Sequence, residues 1–189
     1  HSITELTTSG DLGYHAALEA RVQAFVDRKL TLSKVKMISR SMSRDQYISK
    51  SVLEHREFFR RNAALKRILI VTGTFYELIA DLLRTLHIPR ELVIANQFRW
   101  RKNRVIGYQR RLLASHDEPK VKILRDLRYR GKANKKLVIV GDSVIDMHPA
   151  LGRHPPADCA IAYVENCYRS AVLRLLEDNH ARIISANGM

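Results

Sequence analysis

Residues 137–146 read Leu-Val-Ile-Val-Gly-Asp-Ser-Val-Ile-Asp, an apolar run that ends in a glycine and two acids. The run 137–140 is short and rich in β-branched residues, which is typical of a buried strand in a parallel sheet. Gly141 allows a sharp turn at the carboxyl end of that strand, where open α/β sheets bind their ligands. At this position Asp142 can bind a divalent cation and Asp146 can support the site. The alternative is that both acids only cap the following helix.

The sequence around this strand alternates between strand and helix patterns. The predicted elements are a helix at 11–29, a basic helical module at 30–47, a helix at 52–62, a strand at 67–71, a helix ending near 86, a strand at 92–94, a β-hairpin within 96–111, a helix at 118–128, a strand at 158–164 and a helix at 170–178. Thr31 or Ser33 can cap the helix of the basic module. This order predicts the α/β class with a mostly parallel sheet.

Composition limits the classes of function. The chain has 189 residues, of which 46% are hydrophobic, so it can bury a core, and no apolar run is long enough to span a bilayer. Its net charge of +14 favours anionic partners: nucleic acid, an acidic membrane surface or phosphorylated small molecules. Cys159 and Cys167 match no metal or redox motif, and the polar N-terminus is unlike a signal peptide. We therefore expect a cytoplasmic protein.

Three features in chain order suit phosphoryl transfer. Thr72 and Gly73 follow the strand at 67–71, where a hydroxyl and backbone N–H groups can hold a phosphoryl oxygen. Lys120 lies at a predicted helix start, where its ammonium group can neutralise phosphate charge. Asp142 and Asp146 supply the predicted metal site.

These motifs resemble those of the haloacid dehalogenase-like hydrolases, and within them the phosphoserine phosphatase-like branch. The matches are Thr72 in ILIVTGTF for the second motif, Lys120 in EPKVKIL for the third, and Asp142 with Asp146 in VIVGDSVID for the fourth. The resemblance implies a Rossmann-like three-layer parallel sheet with a small helical cap. It also implies three segments: the tail of the first motif at 1–9, the cap at 10–50 and the α/β core at 51–189.

The first motif of that family departs from the pattern here. It is a strand ending in Asp-x-Asp, whereas this chain opens with His1-Ser2-Ile3-Thr4, which is similar only to the tail of the motif. The resemblance places the missing strand between those ending at Thr72 and Asp142, and its absence would leave buried backbone groups unpaired. We therefore expect the strand and the nucleophilic Asp upstream of His1. The alternative is a genuine variant whose gap another chain fills.

The resemblance implies roles for the matched residues. Asp142 would bind Mg²⁺, Asp146 would support that site, and Lys120 would balance the charge of nucleophile and phosphate. Ser2, Thr72 and Gly73 would hold the phosphoryl group. The implied function is a Mg²⁺-dependent phosphatase, a hydrolase that acts through an aspartyl-phosphate on a small anionic metabolite. The alternatives are an inactive relative that binds a phosphorylated ligand or partner, and a basic nucleic-acid-binding protein on this scaffold.

Three further groups of residues have both a functional and a structural explanation. The hairpin at 97–111 interleaves aromatic and basic residues and can bind RNA or an anionic substrate, but a solvated hairpin with packed aromatics is favoured. The cap cations Lys34, Lys36, Arg40, Arg44 and Lys50 can contact an acidic substrate, although a solvent-facing role is favoured. His148 and His154 lie in a proline-rich loop that does not favour a zinc site. The substrate and the oligomeric state stay open.

Overall fold

The computed structural model describes residues 13–44, 50–109, 118–129, 136–163 and 183–186. The predicted helix at 170–178, the motif-one tail with Ser2, and Cys167 lie outside these residues. The chain divides into two compact units: residues 19–114 form one, and residues 1–18 with 115–189 form the other. The predicted cap and core segments stay predictions.

The unit of residues 19–114 combines helices with two small sheets. Its elements, including the whole of the helix that enters it, are α1 (Tyr14–Asp27), α2 (Leu32–Met42), α3 (Lys50–Glu54), α4 (Arg56–Ala64), β1 (Ile70–Phe75), α5 (Tyr76–Thr85), a 3₁₀ turn (Arg90–Leu92), β2 (Val93–Asn96), β3 (Phe98–Arg101) and β4 (Arg104–Tyr108). The helix predicted at 52–62 is two helices, because the chain breaks at His55.

Strand β1 lies later in the sequence than predicted. It runs through Thr72-Gly73-Thr74, the residues expected to end it, and finishes at Phe75. β1 pairs in parallel with β2, and the register shifts between Thr72 and Phe75. This irregularity accommodates a glycine and two threonines without ending the strand. A core of Ile79, Leu83 and their apolar neighbours packs beside this sheet.

Two short polar side chains fix the start of helix α2 and its position against α5. Thr31 is its N-cap, and the Thr31 hydroxyl accepts a hydrogen bond from the Lys34 N–H at 3.4 Å. One face of the helix is buried at Val35 and Ser39. The Ser39 hydroxyl accepts a hydrogen bond of 3.1 Å from the Asp81 N–H and so fixes α2 against α5.

The hairpin β3–β4 is attached to this unit by aromatic packing. Phe98 is 1% exposed. Its ring stacks on Phe75 at 4.0 Å between centroids and meets Phe25 and Trp100 edge-on. The aromatic residues of the hairpin therefore turn inwards, while Arg99 and Arg101 on the alternate positions are exposed.

A half-buried acid also holds the hairpin. The Glu77 carboxylate accepts a hydrogen bond of 3.1 Å from the Phe98 N–H. Burial raises the pKa of Glu77 above its usual value, while N–H groups of its own backbone and of Phe98, the Trp100 side chain and the Arg90 charge act in the opposite direction. Glu77 thus pays a desolvation cost to fix the start of β3.

The second unit contains a three-stranded parallel sheet. Its described elements are α6 (Pro119–Tyr129), β5 (Val138–Gly141), α7 (Val144–Met147), a 3₁₀ turn (His148–Ala150), β6 (Cys159–Tyr163) and β7 (Ile183–Ala186). The sheet order is β5-β6-β7. Strand β7 was not predicted. A small core of Met147 and four alanines lets the turn after α7 pack closely on β6.

Strand β5 is parallel as predicted, but it is not buried on both faces. Val138 is 49% exposed and Val140 67% exposed, on the face opposite Ile139. Among the described residues β5 pairs with β6 alone, so one of its edges has no strand partner there. The prediction of a fully buried strand is therefore wrong for the described structure.

An ion pair fixes the start of β5. The Asp158 carboxylate accepts a hydrogen bond of 2.6 Å from the Leu137 N–H and pairs with Arg128 of α6. The Leu137 N–H bond, and then the charge of Arg128, lower the pKa of Asp158. These contacts join α6, the start of β5 and the loop before β6.

No helix in the described part is long and apolar enough to cross a membrane.

Replacing Phe98 with alanine removes a ring that is packed on all sides. We expect Phe98→Ala to lower the free energy of unfolding by about 3–5 kcal/mol. Ile106→Ala, at an exposed position of the same hairpin, should cost under about 1 kcal/mol. Urea denaturation of both variants measures the difference, and similar costs would contradict this packing.

The raised pKa of Glu77 predicts a pH dependence of stability. A carboxyl with a raised native pKa binds more protons when folded, so its contribution to stability falls as pH rises from its usual value of 4.5 through the native pKa. The unfolding free energy of Glu77→Gln, relative to the unsubstituted protein, should therefore increase over that pH range.

Glu57→Gln is the control of opposite sign. A hydrogen bond from Arg60 lowers the pKa of Glu57, so the carboxylate adds stability that is lost as pH falls. The relative stability of Glu57→Gln should therefore decrease with rising pH, as followed by urea denaturation at several pH values. The same trend in both variants would contradict the assignment for Glu77.

Candidate phosphoryl-transfer site

A buried carboxylate lies just beyond the carboxyl end of β5. Asp146, in α7, is 8% exposed. Its Oδ2 accepts hydrogen bonds from the Ser143 hydroxyl at 2.6 Å and from the Ser143 N–H at 3.2 Å, while its Oδ1 pairs with the Lys120 ammonium group. Asp146 therefore closes the first turn of α7, as the capping alternative predicts, and also pairs with Lys120; its support of a metal site stays a prediction.

Lys120 reaches this carboxylate from α6. It is the second residue of that helix, close to the start predicted from the sequence, and its side chain is mostly buried. A cation at the start of a helix gains nothing from the helix dipole, so the pairing with Asp146 supplies the compensating charge. The structure thus brings together two of the predicted site residues, across 26 positions of sequence.

Gly141 is necessary for this arrangement. A Cβ placed on Gly141 would lie 2.7 Å from Asp146 Oδ2 and closer still to Asp146 Cβ and Cγ. Only a residue without a side chain leaves room for the carboxylate against the end of the strand. Gly141, which the sequence predicts as a turn residue, therefore also leaves the space that the Asp146 carboxylate occupies.

Asp142 differs from Asp146 in its surroundings. It follows β5 directly and its side chain is exposed. No other described group makes a hydrogen bond or ion pair with it. Within the described ranges no three His, Cys, Asp or Glu side chains form a group that could hold a metal ion. The site thus offers one open carboxylate and one whose oxygens already have partners.

Thr72 and Gly73 lie in the other unit. The Thr72 hydroxyl accepts a hydrogen bond of 3.3 Å from the Thr74 N–H within the irregular part of β1. The Gly73 carbonyl accepts a hydrogen bond of 2.7 Å from the side-chain amide of Asn96, a buried residue at the end of β2. Asn96 is not among the predicted site residues. The signal that could have indicated it is a polar residue shortly after the strand predicted at 92–94.

The two histidines weighed as metal ligands line a groove. His148 Nδ1 lies 3.7 Å from Glu118 Oε1. The groove has a volume of about 450 Å³, and its lining is Glu118, Val121, Arg125, His148, Leu151, Gly152, Arg153, His154 and Pro156. Glu118 and His148 stand two residues along the chain from Lys120 and Asp146, and Arg125 and Arg153 give the groove two cations.

Comparison with known proteins gives a likeness of structure. No protein-family model and no curated protein sequence matches the chain. A phosphoserine phosphohydrolase-like protein from Francisella tularensis superposes with a TM-score of 0.72 at 19% identity, over 97% of this chain and 77% of that one. A phospho-aspartyl intermediate analogue of phosphoserine phosphatase superposes with a TM-score of 0.63 at 18% identity, over 96% and 77%.

A substrate-bound phosphoserine phosphatase complex gives a similar result. Its TM-score is 0.61 at 16% identity, over 96% of this chain and 77% of that one. The chain therefore has the fold of phosphoserine phosphatase-like proteins, an α/β fold with parallel strands. For the fold alone, this confirms the phosphoserine phosphatase-like resemblance predicted from the motifs.

The position of Gly141 makes a direct prediction. Gly141→Ala forces Asp146 or α7 to move, and overpacking of this kind costs about 1–3 kcal/mol of unfolding free energy. Gly13→Ala is the control, because a Cβ there meets no atom within 4 Å. Urea denaturation compares the two variants, and an equal effect at both glycines would rule out the close approach of Asp146.

Proposed function

We propose that this chain belongs to a Mg²⁺-dependent phosphomonoester hydrolase that acts in the cytoplasm on a small anionic metabolite through an aspartyl-phosphate. The observation that carries the proposal is the Lys120–Asp146 pair beyond the carboxyl end of β5, together with Asp142, an exposed acid that follows the same strand directly. The likeness to phosphoserine phosphatases supports it at the level of fold. The proposed architecture is the three-layer Rossmann-like arrangement with a small cap.

Lys120 would stabilise negative charge on the phosphoryl group. Its side chain is mostly buried, and electrostatic attraction to a phosphoryl oxygen is stronger in such surroundings than at the surface. Asp146 holds the ammonium group in place, and Ser143 holds Asp146. A prepared cation of this kind stabilises negative charge that develops on a transferring phosphoryl group without having to reorganise.

The described residues offer a magnesium ion one direct ligand and one supporting acid. Mg²⁺ is usually bound by one or two carboxylates together with water and substrate phosphate, so the exposed Asp142 suffices as a direct ligand. Asp146 would support the ion indirectly, because both its oxygens already have partners. When bound, the ion would offset the charge of the nucleophile and the phosphate.

Thr72 and Gly73 are proposed to hold the phosphoryl group, as the resemblance implies. The segment Thr72-Gly73-Thr74, in the irregular part of β1, is held by the Thr72–Thr74 hydrogen bond and by Asn96, which donates to the Gly73 carbonyl. A segment whose conformation is fixed loses less entropy when it binds a ligand than a mobile one does. Ser2, the remaining proposed phosphate contact, lies outside the described residues. The cations Arg125 and Arg153 of the groove suit a negatively charged group on the part of the substrate that does not react.

The nucleophile is proposed to be an Asp upstream of His1. Its carboxylate oxygen would attack phosphorus and break the bond to the ester oxygen, while a second Asp protonates the departing alcohol. That second Asp would then take a proton from a water molecule as the water oxygen attacks phosphorus; the bond between phosphorus and the first Asp breaks, which releases phosphate and restores the nucleophilic carboxylate. A strand carrying both acids has an available edge on β5, whose described hydrogen bonds reach β6 alone.

A second candidate is a relative that binds a phosphorylated ligand without hydrolysing it. The same ion pair favours it, because a Lys120 held by Asp146 can bind a phosphoryl group whether or not a nucleophile stands beside it. The two candidates differ in turnover and agree on ligand class.

The test uses the protein with its native upstream residues and a panel of phosphomonoesters. Phosphate release should require Mg²⁺, and Asp142→Asn should reduce the rate by roughly 100-fold or more. Asp126→Asn, the same change in α6 outside the site, is the matched control and should leave the rate within about twofold.

Unchanged turnover in Asp142→Asn would contradict the metal role. Absence of turnover with every phosphomonoester, together with Mg²⁺-dependent phosphate binding, would favour the non-hydrolysing relative.

A further inference from the structure

We propose that residues 28–36 and 99–104 form a binding surface for the phosphate backbone of a nucleic acid. These residues take no part in the proposed hydrolysis, so the inference stands or falls independently of it. The two segments are named here the basic ribbon surface. They combine the loop and first turn of α2 with the tip of the β3–β4 hairpin.

Backbone contacts join the two segments into one surface. Thr31 and Arg104 form an isolated antiparallel bridge. The Leu32 N–H donates to the Asn103 carbonyl at 2.9 Å, and the Val105 N–H donates to the Leu30 carbonyl at 2.9 Å. The hairpin tip is therefore fixed beside the start of α2, although the two segments are far apart in sequence.

The surface accumulates positive charge without compensation. Neither segment contains an acid, and its exposed cations are Arg28, Lys29, Lys34, Lys36, Arg99, Arg101, Lys102 and Arg104. Within the described part of the chain, none of them forms an ion pair. Eight cations on one fixed surface produce a strong local potential that attracts polyanions.

Folding alone does not account for this arrangement. Arg101 and Arg104 are direct cross-strand partners, and like charges at such positions destabilise a hairpin. Lys102 stands in the two-residue turn with φ of 45°, where asparagine, aspartate or glycine is the usual residue. Residues that oppose local stability in this way point to a function at the same place.

The shape and chemistry of the surface favour nucleic acid. A two-stranded β-ribbon is one of the two elements that the major groove of a DNA duplex admits. Four of the eight cations are arginines, whose planar guanidinium groups match phosphate. Phe98 and Trp100 turn inwards to Phe75 and Glu77, so the hairpin offers no exposed aromatic ring to stack on bases or to enter a membrane. Contact with backbone phosphates remains.

The test measures binding of a short labelled DNA duplex by fluorescence anisotropy at several salt concentrations. For four to six phosphate contacts, affinity should fall by roughly 10²–10³-fold between 50 and 200 mM salt. Duplex RNA and single-stranded DNA in parallel titrations distinguish the source of the phosphate backbone. Vesicles of anionic phospholipid test the membrane alternative.

Two variants that lose the same number of cations show whether binding depends on where the cations lie or on the total charge of the protein. Arg99→Gln, Arg101→Gln, Lys102→Gln and Arg104→Gln together should weaken binding at least tenfold and make it less sensitive to salt. The matched control combines Lys66→Gln, Arg67→Gln, Lys122→Gln and Lys136→Gln at exposed positions elsewhere. Its affinity should change by less than threefold.

Arg101→Glu provides a readout that a structural role would not give. It places opposite charges across the ribbon, so the melting temperature should rise while nucleic-acid affinity falls. Equal loss of binding in both quadruple variants, no duplex binding at 50 mM salt, or binding to vesicles but not to nucleic acid would each overturn the proposal.

Discussion

A carboxylate removed from water needs partners on both oxygens, and Asp146 finds them in Lys120 and Ser143. Three elements depend on this one group. α6 must bring Lys120 to it, α7 must be capped by Ser143, and β5 must end in a residue without a side chain. The ionic pair is the point at which strand, turn and helix constrain one another.

The same constraint explains why the site is chemically prepared. A lysine held by a buried carboxylate has a fixed position, so in the proposed function a phosphoryl group would meet a charge that is already in place. Asp142 follows β5 directly and has an exposed side chain, which under the same proposal would leave its oxygens free to bind a hydrated cation. The two acids of the motif would then have different roles: Asp146 would position Lys120, and Asp142 would bind the ion.

Sequence reasoning located the elements better than it located their contacts. The cap of α2, left between Thr31 and Ser33, the hairpin within 96–111 and the helix beginning near Lys120 follow from local residue preferences, and the structure has all three, with Thr31 as the cap. The Lys120–Asp146 pair depends on how α6 meets the end of β5, which no local pattern encodes. Glu77 was missed because an acid in the first turn of a helix is usually a surface residue.

Strand β5 illustrates the other limit. Its β-branched run indicates a parallel strand correctly, yet the exposure of Val138 and Val140 depends on which segments cover them. The order of strands and the exposure of their faces are properties of the whole sheet, so a ten-residue window does not contain them. The basic ribbon surface is similar, since its two halves become one only through the Thr31–Arg104 bridge.

The central claim is that this fold transfers a phosphoryl group through an aspartate. The most direct measurement is the intact mass of the protein with its native upstream residues, quenched in acid during turnover of a phosphomonoester. The account predicts a covalent adduct of one phosphoryl group that hydroxylamine removes, as expected of an acyl phosphate. Phosphate release without any adduct, or an adduct that resists hydroxylamine, would contradict it.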